Sequence, residues 1–251
     1  MPLYRRQIIK PTADLDAVAY IGRAGITDVV TQNAINDFVL GIKDLGIWSS
    51  IVSWPLRSTQ NAQSGTTVYS LGGFGTFDGT LAGSPLPTRG VDGITFTSGF
   101  SQSINIPNIA ITATDLILAT CQAATSGNLR TINATASGAD PGIWAGFGGS
   151  YYWDVRSSAN ALNRLQGGST PTSRVFTHGI ASASGSTFFV NGTSILSNAV
   201  SSANANMTSF KINSNGGNGN FAFALFSQSI TGNASLYSLY KTTLGAGLGL
   251  P

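Results

Sequence analysis

Between Ala13 and Ser50 the apolar residues recur at helical spacing. Asp14 or Asp16 can cap a first short helix that ends near Gly22 to Gly25, and Thr27 or Asp28 can cap a second. In the second, Val30, Ala34, Phe38, Ile42 and Leu45 follow one another at steps of four, four, four and three, with Asp28, Gln32, Asn36 and Lys43 left for the outer side and Gly46 as the stop. Such a one-sided pair must lay its apolar stripe on a sheet or on another subunit. From about Ile47 the pattern changes to short apolar runs parted by Gly, Ser and Asn clusters. Strands are expected around 67–71, 93–97, 101–106, 115–122, 129–134, 142–147, 150–156, 174–183, 186–190, 193–197, 208–213 and 220–227. The clearest unit is Ser186 to Leu196, "STFFVNGTSIL", where Asn191-Gly192 closes a hairpin by a type I′ turn. Its simplest register sets Val190 opposite Thr193, Phe189 opposite Ser194 and Phe188 opposite Ile195, the last pair facing a core. A final helix fits "NASLYSLYKTTLG", with Leu236, Leu239 and Tyr240 inward.

Three segments follow: an extended arm over 1–12 bounded by Pro2 and Pro11, a helical segment over 13–47, and a β-sandwich with a short C-terminal helix over 48–251. Three stretches resemble the laminin-G/concanavalin-A type jelly roll: "GITFTSGFSQSINIPN", "FTHGIASASGSTFFVNGTSIL" and "SFKINSNGGNGNFAFALFSQSITGNASLYSLY". The fold expected is therefore mainly β, a jelly-roll sandwich preceded by a short helical segment. "INDFVLGIKDLGIWSSIVSWPL" and "LYKTTLGAGLG" are similar to the two ends of bacteriophage virion proteins that join a helical segment to such a jelly roll. That resemblance implies a structural protein of a phage particle, on the capsid surface or on a tail or fibre appendage, with other virion proteins and copies of itself as partners. A glycan-binding adhesin for the host surface is the alternative, because jelly rolls host many functions.

Composition sharpens this picture. Charged residues make up 9% of the chain, and all ten acidic residues are Asp, so the polar surface is one of hydroxyls and amides. Arg5, Arg6 and Lys10 match the net charge of +3, which leaves a near-neutral body on a basic arm. With Tyr4, Ile8 and Ile9 for apolar area, the arm is expected to anchor the subunit across a neighbour. No basic stripe interleaved with aromatics appears, so no nucleic acid is expected as a partner. No run is long and apolar enough to span a bilayer and no signal-peptide pattern opens the chain, so membrane association is not expected and synthesis in a host cytoplasm for assembly into a virion is.

The chemistry-bearing residues are few. Cys121 is the sole cysteine and sits in an apolar run, which points to a buried thiol. Laminarinase-like hydrolases of the resembled fold need a pair of carboxylates on one strand. With no Glu and no close Asp pair in the β region, the chain is expected not to be an enzyme, and no catalytic, cofactor or metal residue is assigned. His178, the only histidine, reads as structural. Asp92, Asp140 and Asp154 are candidate calcium ligands, each better explained by a turn or cap. "GIWAGFGGSYYWDVRSS" offers a sugar platform in Trp144, Tyr151, Tyr152 and Trp153, followed by Asp154 and Arg156, but strand alternation sends about half of the rings to the core. The sequons at Asn133, Asn191, Asn206 and Asn233 carry little weight in an Asn-rich chain.

Overall fold

The computed structural model describes residues 13–123, 129–136, 141–155, 164–169, 173–199, 205–214 and 217–251. The arm at 1–12, Asp140 and Arg156 lie outside them. Among the described residues three α-helices, α1 (Leu15–Ala24), α2 (Val29–Asp44) and α3 (Asn233–Thr242), accompany sixteen strands. In chain order these are β1 (Ile51–Pro55), β2 (Thr67–Val68), β3 (Gly79–Ala82), β4 (Thr88–Gly90), β5 (Gly93–Phe96), β6 (Ser103–Ala113), β7 (Leu116–Gln122) and β8 (Arg130–Ala136). They continue with β9 (Gly142–Phe147), β10 (Ser150–Asp154), β11 (Arg164–Gly167), β12 (Val175–Ser182), β13 (Gly185–Val190), β14 (Thr193–Asn198), β15 (Ala205–Ile212) and β16 (Gly219–Ser227).

The strands form two antiparallel sheets. The first runs β14-β13-β12-β7-β16-β5-β4, with β1 taking up the edge of β16 beyond β5. The second runs β11-β10-β9-β8-β15-β6-β3-β2. The fold is thus the mainly β jelly-roll sandwich expected, with short N-terminal helices. The helices cover the outer side of the first sheet, so the molecule has three layers and two cores.

Period-two alternation explains both cores. Along β7, Leu116 and Leu118 enter the core between the sheets, while Ile117, Ala119 and Cys121 face the helices. Along β16, Phe221, Ala224 and Phe226 face the second sheet and Phe223 and Leu225 the helices, with a register shift between Phe221 and Phe223. Buried on both faces, these strands read as continuous apolar runs. Phe38 of α2 meets Phe223 edge-on at 5.8 Å between centroids, and Tyr240 of α3 lies over Phe223 at 4.6 Å. Cys121 is buried there as a free thiol.

Several local expectations are corrected. Asp14 and Asp28 are the N-caps, accepting from the amides of Asp16 and Thr31, but the buried face of α2 is Thr31, Ile35, Phe38, Val39 and Ile42. Val30 is 75% exposed. A row taken at steps of four drifts about 40° per step around a helix of 3.6 residues per turn, so the expected stripe wound away from the centre of the true face. In the hairpin, Asn191 and Gly192 have φ of 49° and 78°, as a type I′ turn requires. A bulge next to Phe189 then sets Phe188 opposite Leu196 instead of Ile195, which is left exposed. In α3 Leu236 and Tyr240 are buried as expected and Tyr237 joins them, while Leu239 is half-buried against the same core with its side chain over Gly41 of α2. The strands β1, β3, β4 and β11 were not expected; β3, β4 and β11 span only three or four residues, and β1 is buried on every residue, so no clear alternation marks them.

Candidate functional site

Among the described residues the helix layer covers one side of the sandwich, and the outer face of the second sheet is left to side chains of its own strands. Pairing fixes which residues share that face. Ile104, Ile212, Ile132, Ile143, Trp153 and Leu165 stand in register across six strands and point into the core. Their neighbours Asn105, Lys211, Asn133, Gly142, Asp154 and Arg164 stand in register on the opposite face, which Thr80 and Thr67 extend to the sheet edge.

On the same face, Trp144 lies opposite Tyr152. Strict alternation would turn Phe147 to the core. A register shift at the β9–β10 turn, where Gly146 has φ of 111°, re-aims it outward. Phe147 then contacts Trp144 and Tyr152 edge-on, at centroid distances of 5.3 and 5.4 Å, and is 39% exposed. The Arg130 guanidinium lies 5.3 Å from the Trp144 ring and that of Arg164 4.8 Å from the Tyr152 ring. Gly142 makes room for Arg130, because a Cβ there would come within 2.9 Å of its Nε.

Asp154 closes the circuit. Its carboxylate is fully buried and accepts from Trp144 Nε1 at 2.7 Å, Arg164 Nε at 2.6 Å and Arg164 Nη2 at 3.0 Å. A buried charge must be paired, and this two-pronged pair fixes the Arg164 fork over Tyr152. The hydrogen bonds to Asp154 raise the Arg164 pKa, so it is a permanent cation. The result is a cluster of three rings, two guanidinium groups and one carboxylate in which Phe147 is exposed, Trp144 is half-buried, and Tyr152 and Asp154 are buried beneath them.

The candidate residues therefore separate. Trp144, Tyr152 and Asp154 meet on the outer face. Tyr151 and Trp153 enter the core, where burial pushes the Tyr151 hydroxyl up to about 12 and Trp153 Nε1 donates to Ile180 O at 3.1 Å across Gly179. Arg130, Phe147 and Arg164 were not singled out. The double glycine after Phe147, which marks the tight turn beside the bulge, was the one local signal for it.

Asp92 sits in the β4–β5 turn of the first sheet, apart from Asp154 on the second. Among the described residues no group of three His, Cys, Asp or Glu side chains is placed to hold a metal. His178 faces the helix layer, 1% exposed and stacked on Phe189 at 4.3 Å, with no hydrogen-bond partner for either ring nitrogen among the described residues. Burial lowers its pKa to about 3. Asn191 Oδ1 accepts from Phe176 N, which ties the hairpin turn to the adjacent strand β12. Asn133 is on β8 and Asn233 opens α3, while the side chain of Asn206 is outside the described set. The helix layer holds clefts of about 130 and 300 Å³, neither lined by the outer-face cluster. No helix among the described residues is long and apolar enough to cross a membrane.

No family model matches the chain, and no curated protein matches it. Solved structures do. Trypanosoma rangeli sialidase in complex with sialic acid is similar over 78% of this chain at 10% identity, with a TM-score of 0.56. A mutant of that sialidase displaying trans-sialidase activity is similar over 86% of the chain at 12% identity and a TM-score of 0.58. A point mutant of HCR/D is similar over 78% at 8% identity and a TM-score of 0.59. The chain spans about a third of the sialidase in its sialic acid complex, 40% of the mutant sialidase and 52% of the HCR/D chain. At such identities the likeness is one of fold.

These neighbours correct one expectation. Sialidases are enzymes, so the exclusion of enzymatic function drawn from the missing carboxylate pair is overturned. A carboxylate pair is one catalytic apparatus among several, and glycoside hydrolysis with a tyrosine nucleophile is another.

Proposed function

We propose that this chain is a glycan-recognition module whose ligand face is the outer side of the second sheet. The observation that carries this reading is the closed circuit Arg130, Trp144, Phe147, Tyr152, Arg164 and Asp154. An outward sheet face needs no such cluster for folding, and a fully buried Asp beneath it costs desolvation that a plain surface avoids. Neighbours of this fold that include a sialidase holding sialic acid support the same reading. The ends of the chain, similar to those of phage virion proteins, support a particle as its setting and a host-surface glycan as its target.

Titration of the intact protein against a glycan array followed by calorimetry tests this. Binding at micromolar strength is expected, with loss of about tenfold or more in Phe147→Ala at unchanged melting temperature, since stacking a ring is worth roughly 1 kcal/mol or more. An array with no hit, or hits that Phe147→Ala and Arg164→Ala leave intact, would overturn the reading.

A second reading, assembly with copies of itself or other virion proteins, is favoured by Leu15, Val18, Val29 and Val30, four exposed apolar side chains on α1 and α2. The Leu15→Glu, Val30→Glu double variant, and separately deletion of residues 2–11, should then abolish incorporation into particles. Wild-type incorporation of both would remove this reading.

A further inference from the structure

We infer that the cleft between α1 and α2 receives the basic arm, residues 1–12, of a second copy of this chain, and that the exchange is reciprocal. This rests on the assembly reading above and names the occupant and its seat. The cleft holds about 300 Å³. Ala17, Val18 and Ile21 of α1 form its apolar wall, and Gln32, Asn33 and Asn36 of α2 its amide wall. Two hydrogen bonds brace it from either end of α1: Asp14 N donates to Asn36 Oδ1 at 2.8 Å, and Gln32 Nε2 donates to Ile26 O at 2.9 Å. A seat held open in this way loses little to reorganisation when a partner arrives. Leu15, Val29 and Val30 stand exposed on the same two helices.

Charge selects the occupant. Residues 13–47 hold Asp14, Asp16, Asp28, Asp37 and Asp44, half of the chain's ten acidic residues, against Arg23 and Lys43. The helical segment therefore carries −3 where Arg5, Arg6 and Lys10 give the arm +3. Lys43 is taken up by Asp14 and Asp16, while Asp37 and Asp44 are exposed and have no ion pair among the described residues. Asp37 stands one turn beyond Asn33, on the rim of the cleft. Two bare acidic faces would repel each other, and a basic segment laid between them removes the repulsion.

Length and place agree with this. In an extended chain Tyr4 and Ile8 point to one side about 13 Å apart, and the cleft runs from Ala13 to Ile21, about 12 Å at the rise of a helix. Ala13 itself lines the cleft, so the arm departs at its mouth. Copies that meet there across a twofold axis set the root of each arm beside the other's cleft, the self-complementary contact a symmetric dimer requires. The arm's own cleft is the harder target, because the chain would have to reverse at once beside Pro11, whose ring fixes its φ and holds Lys10 extended.

Sedimentation of the full chain and of a chain lacking residues 2–11, with a fluorescent peptide of residues 1–12 titrated into the shortened chain, tests this. The full chain is expected to be a dimer, and the shortened chain a folded monomer that binds the peptide. Val18→Lys in the apolar wall and Asp37→Lys on the rim should each weaken peptide binding about tenfold or more, and rising salt should weaken it without any substitution. Asp37→Lys, on an exposed side chain, gives the answer if Val18→Lys fails to fold. A monomeric full chain, a dimer that survives loss of the arm, or peptide binding that both variants leave intact would each overturn the inference while leaving the assembly reading standing. Failure of that reading shows separately, as wild-type incorporation into particles of the Leu15→Glu, Val30→Glu variant and of the shortened chain.

Discussion

Asp154 and His178 are both buried titratable residues, and they have opposite solutions to the same cost. Asp154 is charged and paired, so removing it leaves the Arg164 fork and the Trp144 N–H without their acceptor. Asp154→Ala should cost about 3 kcal/mol in urea unfolding and abolish glycan binding, since breaking a buried pair strands the surviving charge. His178 is neutral, and neither ring nitrogen has a hydrogen-bond partner among the described residues. Its folded pKa of about 3 lies below the ordinary 6.5, so the unfolded chain binds the extra proton between those values and stability falls as pH drops through that window. Asp14 and Asp28, both lowered by hydrogen bonds, lose their contribution only below the ordinary carboxylate value of 3.8. The interval from pH 6.5 to about 4.5 therefore belongs to His178, with a slope of about 1.4 kcal/mol per unit. His178→Phe, which keeps the stack on Phe189, should flatten the melting temperature over that interval; an unchanged slope would show that the ring finds a partner.

At the scale of elements, turns and caps set register that side-chain patterns leave loose. Gly192 has φ of 78° and stands under Tyr237, whose Cδ1 would be 2.8 Å from an added Cβ. Gly192→Ala should destabilise by about 1–2 kcal/mol and loosen α3 over the hairpin, seen as faster amide exchange in Asn233–Thr242. Asp28→Ala should cost about 1 kcal/mol through the lost cap on Thr31 N. The two bulges matter more for function. The one in β9–β10 brings Phe147 to the outer face, and the one in β13–β14 sends Leu196 to the core in place of Ile195. Neither insertion leaves a hydrophobic pattern, because each moves one residue between faces while its neighbours keep their alternation.

For the whole molecule, the first sheet depends on two layers. Phe223 lies at the centre of the helix-side core, with Phe38, Phe176 and Tyr240 around it. Phe223→Ala should lower stability by about 3–5 kcal/mol as a core cavity opens. Removing residues 13–46 would take Phe38 off Phe223 and strip the α1 and α2 side chains from the helix-side core. That truncated chain should bind a hydrophobic dye and aggregate on size-exclusion chromatography, where a monodisperse product would mean the sandwich stands without its helices. Among the described residues the helix layer packs on the first sheet and not on the second, whose outer face carries the cluster around Trp144 and Asp154.

The sequence by itself determined the fold class, the two capped helices at the start, the last helix, the Asn191-Gly192 turn and most strands, because each rests on local periods and turn chemistry within a dozen residues. It also located the aromatic segment around Trp144, without separating Trp144 and Tyr152 from Tyr151 and Trp153 by role. Only the tertiary structure decided that the helices lie on the first sheet, that β7 and β16 are buried on both faces, and that the opposite face gathers Arg130, Trp144, Phe147, Tyr152, Asp154 and Arg164. The reason is that sheet pairing joins strands distant in the chain, as when Lys211 of β15 meets Asn105 and Asn133, and no local period records which strand will lie beside which.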